Sequence, residues 1–269
     1  MTKPLDQDSL HVMRTGRSIR YIAEPKHVRE VSLIGTSDFA FWADYLRPER
    51  LAPVRCGDAA QVMIIASEMR YLGIRFTEVS LGVRVALAAE GRTEGMRLLH
   101  AFTSSRTFAW CERTFFAMPH RWAECQVSVQ IPIGLSVKAV NRYVIRAEMS
   151  AVARASTRER DERWEGPVFL SRRCAAEDTG LFFARLRGHT VGYPFLSGDR
   201  VSIDGSAAGG VLRPLVDSGF SAKEWAVRAD ATHGRSKTYR RTAVLKYAHA
   251  ASSLLTRSCE PCLRARGSR

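Results

Sequence analysis

The chain has 269 residues, 45% hydrophobic and 25% charged, with a formal net charge of +14 at neutral pH. That length supports a sizeable buried core, and the composition excludes collagen-like, low-complexity and disordered classes. No run of about 18 apolar residues occurs, so no membrane-spanning helix is expected. The first residues, MTKPLDQDSLHVMRTG, lack the apolar stretch of a secretory signal, and the expectation is a cytoplasmic protein.

Arg supplies 35 of the 41 basic residues. Such a charge suits a polyanion binder, but the arginines run along the whole chain and form no single basic arm. No basic strand is interleaved with aromatics, so nucleic acid ranks last among the partners considered. The six cysteines are Cys56, Cys111, Cys125, Cys174, Cys259 and Cys262. Only Cys259 and Cys262 have metal or redox spacing. They are two ligands where tetrahedral zinc needs four, so no metal site is assigned.

Residues 1–27 lack periodicity and are expected as a flexible arm with at most one short element. A single domain is expected over 28–256, followed by a basic tail over 257–269. Val28 to Gly35 is the first strand. Ser37 to Arg50 has Phe39, Trp42, Tyr45 and Leu46 at helical spacing, a cap at Ser37 or Asp38, and Pro48 at its end. Trp42 and Tyr45 are expected in the core.

Gln61 to Ser67 is a second strand. Phe76 to Ala89 is the clearest long one, with Val79, Leu81, Val83, Val85 and Leu87 on one face and Glu78, Ser80, Gly82 and Arg84 on the other. A turn over Gly91 to Gly95 leads into Met96–Thr103, which completes a hairpin.

Thr107 to Met118 reads as a helix with Phe108, Cys111, Phe115 and Met118 on its apolar face, stopped by Pro119. Glu124 to Ile133 alternates again, with its polar side turned either into a lumen or out to solvent. Val137–Val140 and Tyr143–Met149 are further strands. Arg154 to Arg163, RASTRERDER, reads as a solvated turn or helix end. Val168–Leu170, Leu181–Arg187, Thr190–Phe195, Arg200–Asp204 and Trp225–Arg228 are short strands between Gly, Pro and Asp breaks. Gly205 to Gly210 reads as a turn. Thr232 to Arg241 reads as a loop, with a phosphate grip at the last helix as the alternative. Lys237 to Thr256 reads as a C-terminal helix.

The chemistry-bearing stretch is the corner after Pro119. His120 titrates near neutral pH and could move protons. Glu78 could hold its tautomer or act as the partner acid or base. Arg121, with Arg113 or Arg75, could clamp a carboxylate. The bland alternative has His120 capping helix carbonyls and Glu78 paired with a neighbouring Arg. No HExxH, GxSxG or paired CxxC motif occurs, and no cofactor pattern is present.

A long strand with Phe76-Thr77-Glu78-Val79, then a helix of the form Arg113-Thr-Phe-Phe-Ala-Met-Pro119, a polar residue and a strand resembles the acetoacetate decarboxylase-like superfamily. The resemblance implies a mainly β, α+β fold: a single-domain, antiparallel, closed or conical β-barrel with a few flanking helices and a buried cavity. In true decarboxylases two lysines follow the proline, and one forms a Schiff base with a keto acid. Here those positions are His120 and Arg121, while Glu78 matches the family's glutamate.

A Schiff base needs an amine that can lose its proton, which Arg does not provide. Lys138 alone among the remaining lysines lies in an expected barrel strand, off the family's position. The expectation is an enzyme of lyase or hydratase type acting on an oxo acid or related carboxylate, without a Schiff-base lysine or cofactor. A non-catalytic ligand-binding barrel is the alternative, and a nucleic-acid-associated protein is third. The expected partner is a small carboxylate or keto acid, with self-association left open.

Overall fold

The computed structural model describes residues 11–12, 18–87, 94–172 and 179–240. Long alternating segments give strands two chemically distinct faces, and seven of them close on themselves. They are β1 (Val28–Asp38), β2 (Ala59–Tyr71), β3 (Ile74–Leu87), β4 (Glu94–Thr103), β5 (Arg158–Arg172), β6 (Thr179–Pro194) and β7 (Ser221–Ser236). Each pairs with the next in sequence, and β7 pairs with β1 to seal the ring.

The barrel is mixed, which corrects the antiparallel expectation. The β4–β5 pair is parallel, with Met96 opposite Val168 and Arg97 opposite Phe169. A parallel neighbour requires a long crossover. That crossover, residues 104–157, carries helix α2 (Arg106–Phe116), the short strand His120–Trp122 and three strands of a second sheet.

The second sheet is antiparallel and consists of Glu124–Ser128, Gly134–Ala139, Arg142–Glu148 and Arg200–Ile203. Its buried side, including Cys125, Leu135, Val137, Ile145 and Ala147, shares one core with Val31, Leu33, Ile64, Val79, Leu81, Phe169 and Trp225 of the barrel. Trp42 and Leu46 of α1 (Phe39–Leu46) and Leu215 of α3 (Arg213–Asp217) join the same core. The second sheet and the two helices pack against the outside of the barrel. The more continuously apolar face of the strands is the outer one, and the lumen face carries polar groups together with an apolar cluster of Leu98, Val168, Leu170 and Phe182. Glu124–Ser128 belongs to this covering sheet, with Glu124 and Gln126 turned to solvent.

Local chemistry explains the helix starts. Asp38 accepts from the Phe41 N–H at 2.6 Å, and Ser105 accepts from the Phe108 N–H at 3.2 Å. Trp42 is fully buried and donates its indole N–H to Ser37 at 2.6 Å, whereas Tyr45 is exposed. On α2 the inward residues are Ala109 and Glu112, and Phe115 is 65% exposed, so the apolar face expected there is rotated.

Other segments also depart from expectation. The charged run Arg158–Arg163 is part of β5, and Thr232–Ser236 is part of β7. Ser18–Ile19 and Tyr21–Ala23 are short strands, the second pairing with β7, and Ile19 is fully buried. Tyr239–Arg240 forms a strand against β6 where the C-terminal helix was expected to begin. The rest of that helix, Cys259, Cys262 and the tail lie outside the described residues. No described helix is long and apolar enough to cross a membrane.

The parallel seam depends on a glycine. A Cβ on Gly95 would fall 2.3 Å from the Pro167 carbonyl oxygen of β5. A Cβ on Gly82 would meet the flexible end of the Met96 side chain at 2.5 Å and the Arg97 carbonyl oxygen only at an ordinary 3.4 Å. Gly95→Ala is therefore expected to cost about 1–3 kcal/mol, and Gly82→Ala distinctly less, as read by urea unfolding. Equal costs would refute this account of the seam.

Candidate functional site

Five strands present their lumen residues at one level. Arg228 stands opposite Glu30, Glu30 opposite Ser67, Ser67 opposite Glu78, and Glu78 opposite Thr103. The ring is polar because the outer face has taken the apolar residues.

His120 reaches this level from the crossover. Helix α2 ends at Phe116, and Ala117 takes a left-handed conformation. The Pro119 carbonyl accepts from the Ala101 N–H at 3.1 Å, which docks the chain beside β4. His120 then lies in parallel register with Ala101, on the lumen side. Its ring is 2% exposed. Nε2 is 3.0 Å from Oε2 of Glu78, and the Ser80 hydroxyl donates to Oε1 of Glu78 at 2.8 Å. Phe108 sets its ring edge-on to His120 at 5.8 Å, and Phe76 stacks on Phe108 at 4.5 Å.

Burial alone would raise the Glu78 pKa, but His120, Ser80 and the charge of Arg235 more than offset it and hold the carboxyl below its usual range. Glu78 is thus ionised at neutral pH and accepts from His120, which assigns the proton of this bond to Nε2. Nδ1 of His120 is buried and without a hydrogen-bond partner. The Glu78 side chain retains 21% exposure, so the pair is not wholly sealed.

Neighbouring groups are chemically quiet. Burial, with the Glu78 charge adding to it, pushes the Cys125 thiol up to about 12 and keeps it protonated. Burial, followed by Arg121 and His120, pushes His100 down to about 3. His100 stands opposite Leu81 on the outer side, with its ring against Phe102.

Of the residues singled out in the sequence, Glu78 and His120 come together, and the three arginines do not join them. Arg121 is exposed and stands opposite Phe102, with its guanidinium beside Gly209. Arg113 is exposed on α2. Arg75 is exposed and pairs with Glu68 at 2.7 Å. The reason is strand and helix geometry. Neighbouring strand residues point to opposite faces, so Arg121 must turn away from His120, as Arg75 must from Glu78. On α2 the residue that faces inward is Glu112, next to Arg113.

The cation that does approach the pair is Arg235 of β7, bonded through Nη1 to Glu112 at 2.6 Å. Sequence reasoning missed it by treating Thr232–Arg241 as a loop. The alternation of His233 and Arg235 with small neighbours was the available signal.

No described lysine meets the pair. Lys138 is 3.7 Å from Glu124 on the second sheet, and Lys26, Lys223 and Lys237 are exposed. Among the described residues no three His, Cys, Asp or Glu side chains are arranged to hold a metal. Two surface clefts, one lined by His27, Glu68, Tyr71 and Arg75 and the other by Thr77, Cys125, Ser128 and Glu148, do not include the pair.

No family model and no curated protein matches the sequence. Solved structures do match in shape. The enduracididine biosynthesis enzyme MppR with bound HEPES aligns with a TM-score of 0.58 at 12% identity, over 84% of this chain and 91% of that one. Acetoacetate decarboxylase from Legionella pneumophila aligns with a TM-score of 0.58 at 15% identity, over 89% and 98%. An acetoacetate decarboxylase-like enzyme from Sphingomonas wittichii aligns with a TM-score of 0.55 at 13% identity, over 84% and 96%. At these identities the likeness is one of fold, and chemistry has to be argued from the side chains.

Proposed function

We propose that this chain, which has the acetoacetate decarboxylase-like fold, is an enzyme that moves protons on a small oxo acid through His120 and Glu78. The single observation that carries the reading is the half-buried Nε2–Oε2 contact of 3.0 Å between an imidazole and an ionised carboxylate. Glu78 fixes the ring and stabilises the imidazolium that forms when Nδ1 accepts a proton. That proton comes from a carbon beside the substrate carbonyl, or from water adding to it. The same ring returns the proton to the product side, as enolisation, hydration or dehydration requires. General acid–base help of this kind contributes roughly 10²–10⁴-fold to rate.

A Schiff base has no part in this reading. Arg121 cannot supply the amine, and Lys138 is engaged on the second sheet. MppR, which shares this fold, forms a complex with the condensation product of pyruvate and imidazole 4-carboxaldehyde, and a ligand derived from an oxo acid supports the reading.

The test is a panel of short oxo acids screened by thermal shift, with α-proton exchange in D2O followed by NMR for each acid that binds. Exchange or turnover with no adduct after borohydride treatment is the expected result. Binding without exchange would leave a non-catalytic binding barrel, and a borohydride-trapped lysine adduct would overturn the mechanism.

A further inference from the structure

We infer that Arg235 receives the substrate's carboxylate, and that the substrate is an oxo acid with an apolar side chain. This rests on the role given to His120 and Glu78.

Position comes first. Around the barrel, β7 is separated from β3 by β1 and β2 one way and by β4, β5 and β6 the other. Arg235 and Glu78 are thus on opposing walls, yet the charge of one acts on the other. Both side chains point inward, and a small molecule held by Arg235 would lie between it and the His120–Glu78 pair.

The guanidinium is also half used. Nη1 bonds Glu112, while Nε and Nη2 are buried without any hydrogen-bond partner. Nε and Nη2 together form the side-on edge that takes both oxygens of a carboxylate. Arg97 shows the filled form of this edge in the same protein, with Nε and Nη2 bonding the two oxygens of Glu49 at 2.6 and 2.7 Å. Buried donors left unmade are costly, and an empty bidentate edge needs an explanation. A ligand carboxylate supplies one.

The surroundings set the rest of the ligand. The rings of Phe116 and Phe182 each lie 4.9 Å from the guanidinium carbon. Phe182 and Met118 belong to an apolar cluster with Leu98, Val168 and Leu170. A substrate bound here by its carboxylate would lay its side chain against these groups. The two nitrogens are sealed from solvent, so entry requires Phe116, the last residue of α2, to swing aside.

The experiment is calorimetric titration with phenylpyruvate, pyruvate and phenylacetone, the last lacking the carboxylate. Wild type is expected to bind phenylpyruvate at least tenfold more tightly than either of the others. Arg235→Lys keeps a charge for Glu112 but loses the planar edge. It should lose roughly 10–100-fold in affinity for phenylpyruvate and none for phenylacetone. Glu112→Gln removes a competing carboxylate and should tighten phenylpyruvate binding several-fold, and it decides the matter should Arg235→Lys fail to fold. Unchanged phenylpyruvate binding in Arg235→Lys, or weakened or unchanged binding in Glu112→Gln, overturns the assignment to Arg235. Equal affinity for pyruvate and phenylpyruvate overturns the apolar side chain. If wild type binds and exchanges oxo acids while Arg235→Lys does both equally well, only the Arg235 assignment fails. If wild type binds none of them, the oxo-acid reading of the site fails with it.

Discussion

His120→Gln is expected to lower oxo-acid exchange or turnover by two to four orders of magnitude while leaving the melting temperature nearly unchanged. The glutamine amide can still donate to Glu78, so the buried carboxylate keeps a partner. What disappears is the basic ring nitrogen, and with it the general base. Glu78→Gln should cost less in rate, about 10–100-fold, because the imidazole remains but loses the charge that stabilises its protonated form. Rates and melting curves measured on the same preparations check both. Turnover at wild-type level in His120→Gln would remove the imidazole from the mechanism.

The largest stability effect is expected from Arg228→Met. Arg228 is buried and bridges Glu30 of β1 and Glu162 of β5 across the lumen. Glu162 also meets Arg158, which pairs with Glu224 at 2.8 Å. Removing one member of a buried ionic group strands its partners, at a cost of about 3–5 kcal/mol. For a chain of this size that is a fall of roughly 10 °C in melting temperature. Adding Glu30→Gln should recover part of the loss, since the stranded charge goes with it.

The pH dependence of this effect has a definite sign. Burial alone would raise the Glu30 pKa, but His233, Arg228 and Ser32 hold it down at about 2, below the usual 4.5. A carboxyl depressed on folding contributes stability that is complete above about pH 4.5 and is lost as pH falls toward 2. The shift from 4.5 to about 2 corresponds to roughly 3 kcal/mol. The gap between wild type and Arg228→Met should therefore be wide at pH 7 and narrow by pH 3, as read by urea unfolding. A gap that stays constant would assign the cost to packing.

The same ionic group explains why part of the barrel was hard to see in the sequence. β3 was legible because its outer residues, Val79 to Leu87, are apolar and its lumen residues are small or polar. β5 was not, because Arg158–Arg163 places charges on both faces where it crosses the lumen, and such a run looks like a solvated turn. β7 was read as only four residues for a related reason: Arg228, Asp230 and Arg235 interrupt its apolar alternation. Bulges near Gly188 and between Arg228 and Ala231 break the register further. The buried charges that mark the lumen are the signals that sequence reasoning assigns to solvent.

The site was legible to the same partial degree. His120 and Glu78 could be paired because a proline-ended helix and a long alternating strand flag them separately. The arginine nearest the pair in effect, Arg235, could not be chosen, since 35 arginines carry the same charge and spacing alone does not aim them.

By itself the sequence determined which side chains share a face, where helices α1 and α2 begin, and that an imidazole stands where an amine would be needed for a Schiff base. Tertiary structure alone decided which face is enclosed and which residues meet across the enclosure. The physical reason is that a two-residue period separates two faces without naming the inner one. Influences between opposing walls, such as that of the Arg235 charge on Glu78, exist only after the seventh strand has closed on the first.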